Sequence, residues 1–251
     1  MVHFVGAGPG ATDLITVRGQ NLLKEADVII YAGSLVNKEH LNLAKEGCGI
    51  YNSASMTLEE VIDVIKKAEQ EGKMTVRLHT GDPSIYGAIR EQMDLLNELH
   101  IAYDVVPGVS SFCGAAAALK AEYTLPDVSQ TVIITRMAGR TPVPEKEEIS
   151  LLAAHQATMA IFLSTGLLKP LRERLLIGGY REDTPAAIVY KATWPEEQVF
   201  YGTVGTLPEI AEKNNITKTA LILVGDFLGD AYERSKLYDP SFAHEFREAS
   251  K

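Results

Sequence analysis

Through the first half of the chain, a short apolar run, a Gly- or Pro-bearing loop and a helically spaced stretch recur in that order. This recurrence constrains the fold more than any other feature. Residues 2–5 run into Gly6-Ala7-Gly8-Pro9-Gly10, then into an apolar helical pattern through Leu14, Val17, Leu22, Leu23 and Ala26. Residues 28–31 end at Ala32-Gly33-Ser34. Residues 73–79 end at Thr80-Gly81-Asp82-Pro83, with a helix predicted over 85–99. Residues 102–106 end at Pro107-Gly108-Val109-Ser110-Ser111, followed by an Ala-rich helix. Between these units, Thr57-Leu58-Glu59-Glu60 has the form of a capping box, Val61, Val64, Ile65 and Ala68 mark one helix face, and Gly72 supplies the stop. Strands alternating with helices imply a parallel sheet covered by helices.

The second half has a different texture. Strands are predicted over 131–135, 158–163, 185–190, 198–203 and 220–224, and helices over 165–177 and 207–213. Residues 136–146 are polar, with two prolines and two arginines, and read as a loop. Consecutive strands around Trp194-Pro195 suggest a hairpin, hence a mixed sheet. Pro126-Asp127 interrupts the pattern and sets the expected boundary. An N-terminal α/β domain of mainly parallel sheet covers 1–125, and a C-terminal α/β domain of mixed sheet covers 126–251, ending in a charged tail from Gly229.

With 251 residues the chain can bury a sizeable core without disulfide or metal staples. Its net charge of -9 argues against general nucleic-acid binding, which needs concentrated Lys and Arg. Cys48 and Cys113 are too few and too far apart for a disulfide framework or a CxxC metal site, and read as reduced thiols. The six histidines lack metal-ligand spacing, so no metal site is expected. No apolar run approaches the roughly 20 residues of a membrane span, and the first residues do not resemble a signal peptide, so the expected location is cytoplasmic.

Three loops could carry chemistry. Gly6-Ala7-Gly8-Pro9-Gly10-Ala11 resembles a dinucleotide-binding turn, but Pro9 removes a backbone N–H from the phosphate cradle. The acidic residue expected at the end of the second strand is also missing. A tight Gly-rich turn between strand and helix accounts for this segment better than dinucleotide binding does. In the second loop, Asp82 has the form of an N-cap and Pro83 of a first helical residue, while Gly81 permits close ligand approach. The third loop carries Ser110 and Ser111. Three such loops at three strand ends would line one edge of a sheet, where open α/β sheets bind ligands.

Taken together, GAGPGATDLITVRGQNLLKEADVIIY, RLHTGDPSIYG and VVPGVSSFCGAAAA resemble the tetrapyrrole (corrin/porphyrin) methylase family, as do the later PAAIVYKATWPEEQ and TALILVGDF. Within it, YAGSLV at 31–36, YNSASMTLEE at 51–60 and TRMAGRTPVPE at 135–145 resemble the members that methylate C-11 of the precorrin-4 ring, with or without cobalt, in cobalamin biosynthesis. The resemblance implies two α/β domains with a cleft between them, S-adenosylmethionine as methyl donor with S-adenosylhomocysteine as product, and a homodimer acting on a small tetrapyrrole. The implied donor contacts are Pro9, Thr80, Gly81, Asp82, Ile85, Ser110, Ser111, Leu163, Ala192, Thr219, Ala220 and Leu221. Related proteins often carry Gly at positions 80 and 192 and Met at 163, departures that bear on local packing. Pro9 suits a donor that has no pyrophosphate.

The acceptor carries several carboxylates, so cations should gather where it binds. Arg136 and Arg140 are the main candidates and Lys191 and Arg18 the weaker ones, with Met137 as an apolar contact. Ser34, Tyr86 and Tyr190 are candidates for assisting a proton to leave. The reaction requires no nucleophile from the protein. A sister methylase of another ring carbon and a non-catalytic corrinoid or adenosyl-ligand binder therefore remain as alternatives.

Overall fold

The computed structural model describes residues 1–250, without the side chain of Ser34. The candidate hydroxyl of Ser34 thus lies outside the described residues. The chain forms two compact units. The first holds Met1–Gly114 and the short segment Lys191–Glu196, and the second holds Ala115–Tyr190 and the chain from Glu197 onward. All strands of the first sheet precede residue 125 and all strands of the second follow residue 126. The compact division itself falls earlier, inside the helix Ser111–Leu119, and the first unit includes 191–196, which lie beyond the boundary expected at 125–126.

The first unit contains β1 (Val2–Gly6), α1 (Val17–Glu25), β2 (Val28–Tyr31), β3 (Gly49–Asn52), α2 (Leu58–Gln70), β4 (Thr75–His79), α3 (Arg90–Glu98) and β5 (Tyr103–Val106), and α4 (Ser111–Leu119) starts within it. Its five strands are all parallel, in the order β3-β2-β4-β1-β5. Alternate residues serve opposite faces. Val5, Ile29, Val76 and Leu78 pack with Leu23 of α1, whereas Val2, Phe4 and Ile30 pack with Val61 and Ile65 of α2 and Leu96 of α3. Burial on both faces explains why β1 and β2 read as nearly continuous apolar runs. Each such large side chain contributes roughly 1.5–3 kcal/mol.

The capping box forms as the sequence requires. The Thr57 hydroxyl accepts the Glu60 N–H at 3.3 Å, and the Glu60 carboxylate accepts the Thr57 N–H at 2.7 Å. Gly72, with φ +68°, ends that segment. The helix predicted over 85–99 is shorter than expected and begins only at Arg90. Residues 83–88 instead fold back on themselves, with Tyr86 and Ala88 left-handed at φ +55° and +48°. Gly87 lies so close to Pro83 that an added Cβ would stand 2.0 Å from the Pro83 carbonyl oxygen. Asp82 therefore caps a turn and does not start a helix. The edge strand β3 escaped the sequence reading because it is short and mostly exposed, without apolar alternation.

The second unit contains β6 (Val132–Arg136), α5 (Ile149–Ala153), β7 (Thr158–Phe162), α6 (Leu168–Ile177), β8 (Pro185–Tyr190), β9 (Gln198–Thr203), α7 (Leu207–Lys213) and β10 (Ala220–Val224). Its strand order is β6-β7-β10-β8-β9, with only β6 and β7 parallel. The sheet is mixed and the β8–β9 hairpin is present. Met159, Ile161, Ile188 and Ile222 form its core with Leu171 and Leu175 of α6 and Leu207 of α7. Among the described residues, no helix is long and apolar enough to cross a membrane.

Candidate functional site

Parallel pairing puts β4, β1 and β5 side by side, so the three Gly/Pro loops emerge together at one sheet edge. They meet through glycine. A Cβ on Gly6 would lie 2.6 Å from both Gly108 Cα and the Gly81 carbonyl oxygen. A Cβ on Gly108 would lie 2.1 Å from that same oxygen. No side chain fits at either position. The Gly81 N–H donates to the Gly8 carbonyl at 2.9 Å, and the Gly8 N–H donates back to Gly81 at 3.3 Å. Gly81 is left-handed at φ +60°, a conformation glycine adopts at little cost.

Asp82 is committed to this architecture. Its Oδ2 accepts the Gly108 N–H at 2.9 Å, and its Oδ1 accepts the Ser84 N–H at 2.8 Å and the Ser84 hydroxyl. Partial burial pushes the Asp82 carboxyl up, but the hydrogen bonds from Ser84 and Gly108 outweigh it and hold the pKa below the usual value. Next to it, the Thr80 hydroxyl is buried without a hydrogen-bond partner. A group of this kind is what a bound polar ligand satisfies. His79 Nε2 is likewise buried and unpartnered, and burial first, then the charge of Arg77, pull its pKa down to about 3. Pro9 and Ser110 are buried, Ser111 opens α4, and the Ile85 N–H donates to the Asp82 carbonyl at 3.2 Å.

The segment Lys191–Glu196 completes this edge. The Thr193 hydroxyl accepts the Ala11 N–H at 3.0 Å, and Trp194 Nε1–H donates to the Pro9 carbonyl at 3.0 Å. The indole lies on Gly10, where an added Cβ would come within 2.1 Å of its Cδ1. Ala192, buried between two left-handed residues (Lys191 at φ +46° and Thr193 at φ +68°), thus belongs with Pro9, Thr80, Gly81, Asp82, Ser110 and Ser111 in the first unit. Sequence reasoning missed Thr193 and Trp194. The available signal was the chain's single tryptophan beside a candidate donor residue.

The remaining donor candidates lie in the second unit. Leu163, just after β7, is left-handed at φ +52° and 64% exposed. Thr219, just before β10, is left-handed at φ +59°. Strain of this kind in non-glycine residues is tolerated where function requires it. Ala220 pairs with Tyr190, and its carbonyl accepts the Thr165 hydroxyl at 3.0 Å. Leu221 is buried within the sheet. Met137 packs on the core of this unit, and its N–H donates to the Ser164 hydroxyl at 2.9 Å.

The cationic candidates separate by environment. The Arg136 guanidinium donates to the carbonyls of Met137 and Thr141, both at 3.2 Å, and of Pro142 at 2.7 Å. It staples the loop that follows β6. Arg140, in the same loop, is exposed. Lys191 lies 3.5 Å from the Glu196 carboxylate and 5.4 Å from the Trp194 ring centroid. Arg18 is exposed in the first turn of α1. Tyr86 is exposed on the folded-back turn, and Tyr190 packs partly on the second core.

A parallel sheet with glycine-packed loops at its carboxyl edge, followed by a mixed sheet, defines the class. The chain belongs to the tetrapyrrole (corrin/porphyrin) methylase family, whose sequence profile matches residues 1–208. It is 55% identical, over its whole length and 97% of the relative's, to the cobalt-precorrin-4 C(11)-methyltransferase of Methanocaldococcus jannaschii. The solved structure of a cobalt precorrin-4 methyltransferase, a cobalamin biosynthetic enzyme, matches with a TM-score of 0.89 at 48% identity, covering 91% of this chain and 96% of that one. The uroporphyrin-III C-methyltransferase of Thermus thermophilus, solved with S-adenosylhomocysteine, matches with a TM-score of 0.75 at 25% identity, covering 91% and 93%.

Proposed function

We propose that this chain transfers the methyl group of S-adenosylmethionine to C-11 of cobalt-precorrin-4, a step of cobalamin biosynthesis. The observation that carries the reading is the 55% identity, over this whole chain and 97% of the relative, to a protein named for that reaction. The donor supplies a methyl group on a positively charged sulfur, already activated for attack by an electron-rich ring carbon. The protein's part is alignment. Holding nucleophile, methyl carbon and sulfur in line can lower a barrier by roughly 7–11 kcal/mol.

The residues of the first sheet edge suit that task. Gly6, Gly81 and Gly108 let three backbones approach one another without side chains between them. Asp82 locks two of the loops together, and the unpartnered Thr80 hydroxyl offers one polar contact to the donor. In this reading the donor contacts implied by the family resemblance are Pro9, Ile85, Ser110, Ser111, Leu163, Ala192, Thr219, Ala220 and Leu221. Arg140 meets an acceptor carboxylate, while Arg136 holds the loop that presents it. Tyr86 and Tyr190 are the described hydroxyls proposed to assist proton departure. The working form is a homodimer in the cytoplasm.

The test is a mass spectrum of cobalt-precorrin-4 and of precorrin-4, each incubated with the protein and methyl-labelled S-adenosylmethionine. One labelled methyl on C-11 of the cobalt ring is the expected result. A gain on the metal-free ring alone replaces the acceptor. No gain on either, with donor binding intact by calorimetry, points to a sister ring position.

A further inference from the structure

The segment Lys191–Glu196 is seated on the β1 loop by contacts that plain chain reversal between β8 and β9 does not require. Its two hydrogen bonds join residues 182 and 185 positions apart in sequence, Thr193 to Ala11 and Trp194 to Pro9. Its seat is shaped by two glycines. Gly10 admits the indole, and Gly114 of α4 lies so close that an added Cβ would be 3.1 Å from both Pro9 Cβ and Thr193 Cγ2. The segment holds two left-handed non-glycine residues, Lys191 and Thr193. Such conformations persist only where surrounding contacts over-determine them. Lys191 adds a cation over the indole face and an ion pair to Glu196.

We propose that Trp194 is a positioning residue for the methyl donor. By bonding the Pro9 carbonyl and covering Gly10, it sets the β1 loop and, through Thr193, the neighbouring Ala192 backbone in the geometry that receives the donor. Trp194 itself acts through Pro9 and Ala192. This inference rests on the donor-site reading above and deepens it.

The experiment compares S-adenosylhomocysteine binding by calorimetry in the unmodified protein, in Trp194→Phe and in Gly10→Ala. Trp194→Phe keeps a ring on the seat and removes the Nε1–H donor, and Gly10→Ala drives the indole off. Each variant is expected to bind S-adenosylhomocysteine about tenfold more weakly, the scale of one lost hydrogen bond. Donor KM should rise in step while acceptor KM stays within about twofold. A purely structural role would lower the melting temperature and leave both donor constants unmoved. Because Trp194 is the sole tryptophan, its emission in the unmodified protein should shift on titration with S-adenosylhomocysteine, with the calorimetric midpoint. Unchanged donor affinity in the folded variants, or unmoved emission at saturation, overturns the inference. An unmodified protein that binds no S-adenosylhomocysteine overturns the donor-site reading itself and removes the inference with it.

Discussion

The Asp82 carboxylate accepts the Gly108 backbone N–H at 2.9 Å, so a side chain from the loop after β4 fixes the backbone of the loop after β5. Its other oxygen closes the turn onto Ser84. In the fold this acid is a strut between two loops.

Replacing Asp82 with Ala should therefore destabilise the protein by about 1–2 kcal/mol and raise donor KM, because the part-buried N–H of Gly108 loses its acceptor. Asp82→Asn should cost less. The pH dependence follows from the depressed pKa of Asp82: its contribution is full above the unfolded carboxyl value and is lost as pH falls through the lower folded one. Partial exposure keeps that contribution small. Thermal melts from pH 6 to pH 3 on the parent and Asp82→Asn check this, and parallel curves would refute it.

Gly108→Ala should be far more damaging than Gly47→Ala. The first puts a methyl 2.1 Å from the Gly81 carbonyl oxygen, between backbones that have no slack. The second meets nothing within 4 Å and is burdened only by its φ of +79°. Denaturant unfolding should show a loss of roughly 3 kcal/mol or more against about 1 kcal/mol.

His79 gives the fold an acid-sensitive point in the core. Its pKa is drawn down to about 3, so the folded state keeps it neutral while the unfolded chain takes up a proton below about 6.5. Stability from this group is complete above the unfolded value and declines as pH falls from there toward the folded one, by up to about 1.4 kcal/mol per pH unit. Burial lowers the pKa of His40 as well, with the same sign. His79→Leu should flatten the melting temperature between pH 6.5 and pH 4. An unaltered slope would place the acid sensitivity elsewhere.

The two loop arginines should separate cleanly. Arg140→Ala should raise acceptor KM by about tenfold with donor affinity unchanged, as expected for an exposed cation meeting a carboxylate. Arg136→Ala should lower the melting temperature as well, since three carbonyls of its own loop lose a donor. A variant pair that behaves identically in both assays contradicts this division.

Much of this protein is legible in its residues. The capping box at Thr57 and Glu60, the apolar runs of β1, β2 and β4, and the hairpin at Trp194-Pro195 depend on propensity and pattern over a few positions. The three loops carry their own signal, because Gly and Pro mark backbone that cannot continue as strand or helix. The late start of α3 was not legible. Asp82-Pro83 reads as a helix start, and only the closeness of Gly87 to the Pro83 carbonyl turns those residues back on themselves. Arg136 likewise reads as a free cation until its loop folds around it.

By itself the sequence determined most of the elements, the mixed second sheet, the family and the loops that matter, since each is written in short-range pattern. Only the tertiary structure decided which glycine faces which carbonyl, that Asp82 joins two loops, and that Trp194 sits on Gly10. The physical reason is that these contacts arise from strand order. Pairing β1 between β4 and β5 brings Gly6, Gly81 and Gly108 within touching distance, and the return of residues 191–196 closes bonds across more than 180 positions. No local periodicity encodes such distances.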